Sequence, residues 1–195
     1  MTRGRVRGGE DGGLTLVEVL VYVSVTALVL GGLTALFVNA WLADTRARER
    51  DTATGFAQLL TASVQNSVRN AAGTPDISPD GKLLRARVAT GGAGWECRGW
   101  VLDASGDLRY LAQPQAIAEG NYSEAAGWTT IASGIVGTGT GGALFTTGRP
   151  REVQLSVIVT VGEATLPVTG GATAQASGIP GDGSEVSCVP VVPAP

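Results

Sequence analysis

The sequence predicts an α+β protein, in which a long N-terminal helix with a membrane-spanning first half packs on an antiparallel β-sheet. From Leu14 to Ala43 the chain is apolar, and Glu18 is the one formally charged residue in that run. A helix needs about 20 predominantly apolar residues to cross a bilayer, so this run is long enough. After Gly73, short segments of strand-forming residues alternate with clusters of Gly, Pro and Asp, which is typical of antiparallel strands.

The first thirteen residues carry the charges that orient the apolar helix. Arg3, Arg5 and Arg7 precede the run, and positive charge is held on the cytoplasmic side of a membrane. We therefore expect the N-terminus inside and the remainder of the chain exported. A cleaved secretory signal peptide is the competing interpretation, but its apolar stretch of roughly 7–15 residues is about half as long as this run.

Residues 39–70 predict an amphipathic continuation of the same helix. They contain no Pro and a single Gly, and apolar residues recur at three- and four-residue spacing, namely Phe56, Leu59, Leu60 and Val64. One helix from residue 14 to about residue 70 would be roughly 85 Å long at 1.5 Å per residue. A charged collar, residues 46–51, follows the apolar run; a solvated face near lipid headgroups and a specific contact are both open for it.

The remainder of the chain predicts a β-rich head with long loops. The predicted strands are residues 82–90, 95–103, 108–112 and 152–161, the second and third forming a hairpin. Residues 113–127 and 134–142 are predicted as irregular loops, and Gly162–Pro195 as a loop-rich C-terminal segment. For the aromatic side chains of Tyr110, Tyr122 and Trp128 a binding role and a core position are both open.

The two cysteines, Cys97 and Cys188, both lie in the part of the chain that we expect to be exported. Disulfides form and persist outside the cytoplasm, so we expect a Cys97–Cys188 bridge. Two free thiols are the alternative. The bridge would tie the C-terminal segment to the sheet.

Composition argues against several classes of function. The formal net charge of −3 lacks the broad basic surface of a nucleic-acid binder. The chain contains no His, which removes the usual side chain for acid–base and metal chemistry. Nucleophile-elbow, phosphate-loop and cysteine-pair motifs are missing too, and Asp76, Asp80, Asp103 and Asp107 stand in turns where Asp bonds local backbone. We therefore expect a protein that is not an enzyme and needs no cofactor or metal.

The residues around the start of the apolar run form a recognisable pattern. A short basic leader ends in Gly13, and the sequence LTLVEVL follows, with Glu18 five residues into an otherwise unbroken apolar stretch. This pattern resembles the N-terminus of type IV pilins and pseudopilins. In that family a membrane peptidase cuts after the glycine, the new N-terminus is methylated, and the acidic residue assists assembly.

The resemblance implies a role for each of three residues. Cleavage would fall between Gly13 and Leu14, Leu14 would be N-methylated, and Glu18 would be the assembly carboxylate. The regions would then be a leader (1–13), a transmembrane and assembly helix (14–43), its amphipathic continuation (44–72) and an exported head (73–195). The expected architecture is the ladle shape of pilins.

The function that we expect from the resemblance is a pilin-like structural subunit, a minor rather than a major one, of a type IV pilus or pseudopilus. Its partners would be other pilin subunits, the prepilin peptidase and methyltransferase, and membrane lipid before assembly. We expect a single-pass cytoplasmic membrane protein that becomes part of a cell-surface filament. The alternative is a single-pass membrane-anchored surface domain that never polymerises.

Overall fold

In a computed structural model of the chain, the residues described are 15–90, 94–175 and 188–190. The chain divides into two compact units, Met1–Thr45 and Arg46–Pro195. The described part of the first unit is almost entirely apolar helix, and the second contains the end of that helix and the sheets. The predicted class is confirmed, because a long apolar N-terminal helix packs through its C-terminal part on antiparallel sheet.

The long helix, α1, covers Leu16–Arg69, 54 residues without interruption. Its lack of Pro lets the backbone ladder continue. Gly31 and Gly32 lie within it, and a Cβ atom at either position would meet no side chain within 4 Å. Hydroxyl groups in the apolar part donate to the carbonyl one turn back, from Ser24 to Leu20 and from Thr34 to Leu30, each at 2.8 Å. The hydroxyl groups of Ser24 and Thr34 are therefore satisfied by the helix itself.

Five antiparallel strands form the first sheet, in the order β1-β2-β3-β4-β5. The register of β2 and β3 pairs Leu84 with Trp100, and that of β3 and β4 pairs Trp100 with Tyr110. The strand bounds are β1 Asp76–Ile77, β2 Leu83–Ala89, β3 Trp95–Leu102, β4 Leu108–Gln113 and β5 Thr129–Ala132. The predicted strands at 82–90, 95–103 and 108–112 are thus confirmed to within a residue or two.

The second sheet is built around β8, whose ten residues alternate between buried and less buried positions. On one side β8 pairs with two short strands, and on the other it pairs along its whole length with β9. The bounds are β6 Ile135–Gly137, β7 Phe145–Thr146, β8 Glu152–Val161 and β9 Ala164–Thr173. The prediction for β8 is confirmed at both ends.

The main core lies between the C-terminal part of α1 and both sheets. One helix face is buried, comprising Ala53, Ala57, Leu60, Val64 and Val68. It contacts the inner faces of β2 to β4 and of β8, where the largest side chain is the fully buried Trp100. Apolar residues recur every three or four positions on the helix and every second position on the strands, so each element buries one apolar face in this core.

Two of the loop predictions are wrong. Residues 113–127 are largely irregular as expected, but β6 begins the segment 134–142, and the C-terminal segment from Gly162 contains the ten-residue strand β9. The β9 strand includes Gly170, Gly171 and Pro167, residues that weaken a strand prediction. Pairing with every residue of β8 supplies the stabilisation that local propensity lacks.

Candidate functional site

The part of α1 that precedes the head is exposed along its whole length. Residues 16–48 are all exposed, and Glu49 is the first residue of α1 that is partly buried. The helix is long and apolar enough to cross a membrane, judged by length and composition. This is compatible with a single-pass membrane protein, in which lipid or another apolar surface covers these side chains.

Glu18 lies in the first turn of α1, and neighbouring residues of the same helix contact it. Its backbone N–H donates to Thr15 Oγ1 at 3.3 Å, so Thr15 caps the helix. Its carboxylate Oε1 accepts a hydrogen bond from the Tyr22 hydroxyl at 3.4 Å. Thr15 and Glu18 have the T-x-x-E spacing of a capping box, and Tyr22 is one turn beyond Glu18. Both spacings were available in the sequence, and Tyr22 was missed there as a partner of Glu18.

The predicted cleavage and methylation residues, Gly13 and Leu14, lie outside the described residues. Of the three residues that the resemblance singles out, the structure therefore describes Glu18. Cleavage after Gly13 and methylation of Leu14 stay predictions.

Part of the charged collar makes a specific contact with the turn between β8 and β9. Glu49 Oε2 accepts the backbone N–H of Glu163 at 3.0 Å, and Arg46 Nε lies 3.6 Å from Glu163 Oε2. Gly162, with φ of +58°, is so close to Glu49 that a Cβ atom there would collide with its carboxylate. The left-handed backbone conformation favours glycine at this position, and a larger residue would also displace the Glu49 carboxylate. The turn is held against α1 within the second unit.

The predicted disulfide between Cys97 and Cys188 is present, with Cα atoms 5.6 Å apart. Both cysteines are buried in a second apolar cluster, on the face of the first sheet that points away from α1. The backbone N–H of Ile117 donates to the Cys188 carbonyl at 2.9 Å, so the bridge also anchors the loop after β4. The outer cluster consists of Leu83, Cys97, Val101, Leu111, Ile117, Trp128 and Cys188.

Aromatic residues left open by the sequence take part in packing. Trp128 is buried in the outer cluster, where Tyr122 packs edge-on against it with ring centroids 5.4 Å apart. Tyr110 packs against Trp100 on the other face of the sheet, and burial raises the pKa of its hydroxyl. Gly99 leaves the space that Ile117 and Trp128 fill, because a Cβ there would lie 2.9 and 3.0 Å from their side chains.

A buried arginine of β2, Arg85, binds the loop after β4. Arg85 is only 4% exposed, and its guanidinium contacts three groups: Asp76 Oδ2 at 2.6 Å, Glu119 Oε1 at 3.0 Å and the Ile117 carbonyl at 3.0 Å. Two partly exposed carboxylates compensate one buried cation, which is the condition for a tolerated buried charge. The sequence did not single out Arg85, since one Arg in a strand carries no local signal of burial.

The turn between β3 and β4 is organised by Asp103, as predicted for an Asp in a turn. Burial tends to raise the pKa of this carboxyl, but hydrogen bonds from Ser105, Arg109 and the Asp107 backbone outweigh it and lower the pKa to about 2. Arg109 lies 2.7 Å from Asp103. Asp80 has a lowered pKa for the same kind of reason: burial is outweighed by hydrogen bonds from Ser78 and the Lys82 backbone. These carboxylates stabilise turns.

An apolar groove of about 330 Å³ runs between α1 and the edges of the two sheets. Leu59 on its rim is 71% exposed. Two hydroxyl groups, from Ser63 and Tyr110, are the polar side chains among the residues that line it. Phe56, Leu60, Leu108, Ile131, Ala132, Ile135 and Val159 complete the lining.

Within residues 15–90, 94–175 and 188–190, no three His, Cys, Asp or Glu side chains come together in the way a metal site requires. The carboxylates of Asp76, Asp80 and Asp103 are each held by an arginine or by turn backbone.

Over the part of the chain that the structure describes, fold and site define an α+β protein with one helix capable of spanning a membrane and a disulfide-bonded antiparallel head. Comparison of the chain with family models, with curated proteins and with solved structures found no match.

Proposed function

We propose that this chain is a pilin-like structural subunit, cut after Gly13, N-methylated at Leu14 and assembled through its N-terminal helix. The observation that carries the proposal is the placement of Glu18. It is the one formal charge between residues 14 and 43, and it lies in an exposed apolar helix next to a basic leader that ends in glycine. In a plain membrane anchor the same carboxylate would lie in the headgroup zone near the cytoplasmic face and would have no role in assembly.

The physical role of Glu18 in this proposal is to pair with a terminal amine. Cleavage would leave a positively charged amine on Leu14, also at the edge of the apolar region. An ionised carboxylate costs roughly 2.5–3.5 kcal/mol at the centre of a membrane helix on insertion scales. Pairing with an amine of an adjacent subunit in low dielectric offsets this cost, and it sets the register between the two helices.

The exposed apolar side chains of residues 16–42 supply the remaining contact in the assembled state. Moving them from lipid to a neighbouring helix changes little in hydrophobic free energy, so packing and the ion pair determine association. The head would lie outside the cytoplasmic membrane, and it carries the disulfide expected of an exported domain. The partners are other pilin subunits and the processing enzymes, and we favour a minor subunit of a pilus or pseudopilus over a major one because the head is large and rich in loops.

Processing provides the first test. Intact-mass and N-terminal peptide analysis of the protein from its native membrane should find a chain that begins at Leu14 and carries one added methyl group. A chain that retains its leader, or one that is cut beyond Ala43, would contradict the proposal.

Assembly provides the second test. An E18A strain should form no filaments containing this subunit while its membrane level stays normal. Ser24→Ala is the matched control, because the Ser24 hydroxyl also lies in the apolar helix but donates to the helix's own carbonyl. We expect S24A to assemble like the wild type.

A single-pass surface domain that never polymerises is the second candidate. The observation that favours it is that Glu18 already has contacts within its own helix, to Thr15 and Tyr22. An unprocessed chain and an E18A variant that behaves like the wild type would together favour this candidate.

A further inference from the structure

The side chains of Glu18 and Tyr22 form a pair across one helical turn. Residues four apart lie on the same face of a helix, and long side chains lean back toward the N-terminus, so the Tyr22 ring extends over Glu18. The phenolic hydroxyl reaches Glu18 Oε1 at 3.4 Å. This is a contact from one side chain to another in a stretch that is otherwise apolar.

Other hydroxyl groups of the helix behave differently. Ser24, Thr34 and Thr45 donate to backbone carbonyls one turn back. Among the hydrogen bonds described for residues 15–43, the one from Tyr22 is alone in joining two side chains. A phenol on a rigid ring is held too far from the helix axis to make the backbone contact, which directs it to the carboxylate instead.

A carboxylate has two oxygens and about four acceptor sites, so one donor does not saturate it. With Oε1 bonded to Tyr22, Oε2 stays available to a second donor. A strong hydrogen bond from a hydroxyl to an ionised carboxylate is about 2.5–2.7 Å long, so the Tyr22 contact at 3.4 Å is a long one that places the hydroxyl beside Oε1. The Tyr22 contact therefore restricts the Glu18 side chain while leaving it able to bind a cation.

We propose that Tyr22 is a positioning residue for Glu18, which holds Oε1 and directs Oε2 toward the amine of an adjacent subunit. This inference rests on the proposed function, since it assigns a residue to the same assembly contact. Without the hydroxyl, the carboxylate rotates among more conformations and loses a polar partner in the apolar phase, so capture of the incoming amine becomes slower.

The contact itself is tested by spectroscopy on the full-length protein in lipid nanodiscs. The chain has three tyrosines, so ¹³Cζ-labelled tyrosine gives three signals, and the one lost in Y22F belongs to Tyr22. The Tyr22 signal should move in E18Q, while the signals of Tyr110 and Tyr122 stay in place. A Tyr22 signal at the same position in wild type and E18Q would overturn the proposal.

The role in assembly is tested by the ratio of filament to membrane-bound subunit. Y22F should lower this ratio roughly tenfold at unchanged membrane level, as expected for loss of one hydrogen bond to a charged group. In the E18Q background, Y22F should cause no further change. Tyr122→Phe is the matched control, because it removes a phenol from the head and should leave the ratio unchanged.

Each remaining outcome decides between the two proposals. If wild-type filaments require Glu18 but Y22F assembles like the wild type or better, the positioning role is overturned and the proposed function stands. If the wild type is neither processed nor assembled, the proposed function fails and the positioning role fails with it, even where the spectra show the Tyr22–Glu18 contact.

Discussion

Removal of the Cys97–Cys188 bridge should destabilise the head strongly, because the bridge closes a large loop and both sulfurs are buried. The two residues are 91 positions apart. In the chain-entropy model, a loop of this size restricts the unfolded chain by about 4.5 kcal/mol at 25 °C. For a domain of this size, 1 kcal/mol corresponds to roughly 2–4 °C in Tm, so C97A/C188A should melt about 9–18 °C lower.

Near-ultraviolet circular dichroism of the full-length protein in detergent is the appropriate assay. It reports on ordered aromatic packing, which in the head includes the pairs Trp100–Tyr110 and Tyr122–Trp128, whereas the far-ultraviolet signal is dominated by α1. Trp128 lies in the same cluster as the bridge, so its environment reports directly on the loss. Treatment of the wild type with a reductant is a second route to the same state and should give the same fall in Tm.

A decrease of less than about 3 °C by both routes would refute the reasoning, at a conversion of roughly 2–4 °C per kcal/mol. Such a result would mean that the Cys97–Cys188 bridge contributes little to the free energy of unfolding of the head. A large fall in C97A/C188A without one on reduction would point to the substitutions rather than to the bridge.

Three further changes test other contacts of the head. Because the pKa of Asp103 is lowered, its carboxylate adds to the free energy of unfolding above its ordinary pKa near 3.8, and this stabilisation is lost as the pH falls toward 2. The stability of D103N should therefore depend less steeply on pH between about 4 and 2 than that of the wild type. At pH 6 the same variant should unfold about 1–2 kcal/mol more easily in denaturant, since it weakens hydrogen bonds to a charged acceptor. R85M should lower the free energy of unfolding by about 1–3 kcal/mol, because the Ile117 carbonyl loses its buried donor. The same change should raise the rate of amide exchange in residues 113–127. G162A should cost about 1–3 kcal/mol through its positive φ and the collision with Glu49, measured by thermal denaturation.

Each of these predictions has its own control. Asp51→Asn, on an exposed part of α1, should leave the acid profile of the wild type unchanged, and a D103N profile as steep as the wild type would contradict the assignment. Arg87→Met removes another arginine of the same strand, β2. Equal amide exchange of residues 113–127 in R85M and R87M would show that Arg85 does not anchor the loop. The double variant E49A/G162A should recover part of the loss in G162A, and no recovery would leave backbone strain as the whole effect.

The long helix and the longest central strands could be predicted from sequence, because their signals are local. An apolar run without Pro predicts α1 whatever surrounds it, and the alternation in Glu152–Val161 predicts β8. The hairpin between β3 and β4 has its turn residues in the chain itself, centred on Asp103. The spacing of Thr15, Glu18 and Tyr22 is local as well, so the environment of Glu18 could have been predicted.

The remaining elements depend on partners that are distant in the chain. The β9 strand contains glycines and a proline, and it becomes a strand because β8 offers a complete edge beside it. Burial of Arg85 requires Asp76, Ile117 and Glu119 to meet at one point, and no short window of sequence contains all four. Trp128 is buried because Gly99, in another strand, leaves room for it.

By itself, the sequence determined the apolar helix, the single carboxylate between residues 14 and 43, the hairpin, and the presence of two cysteines after the helix, since each follows from the order of neighbouring residues. Only the tertiary structure decided that the C-terminal segment is a strand, that the first sheet is covered on both faces, and that Cys188 and Arg85 hold the loop between β4 and β5. The physical reason is that hydrophobic periodicity and turn chemistry act within one element, whereas burial and ion pairing act between elements brought together by folding.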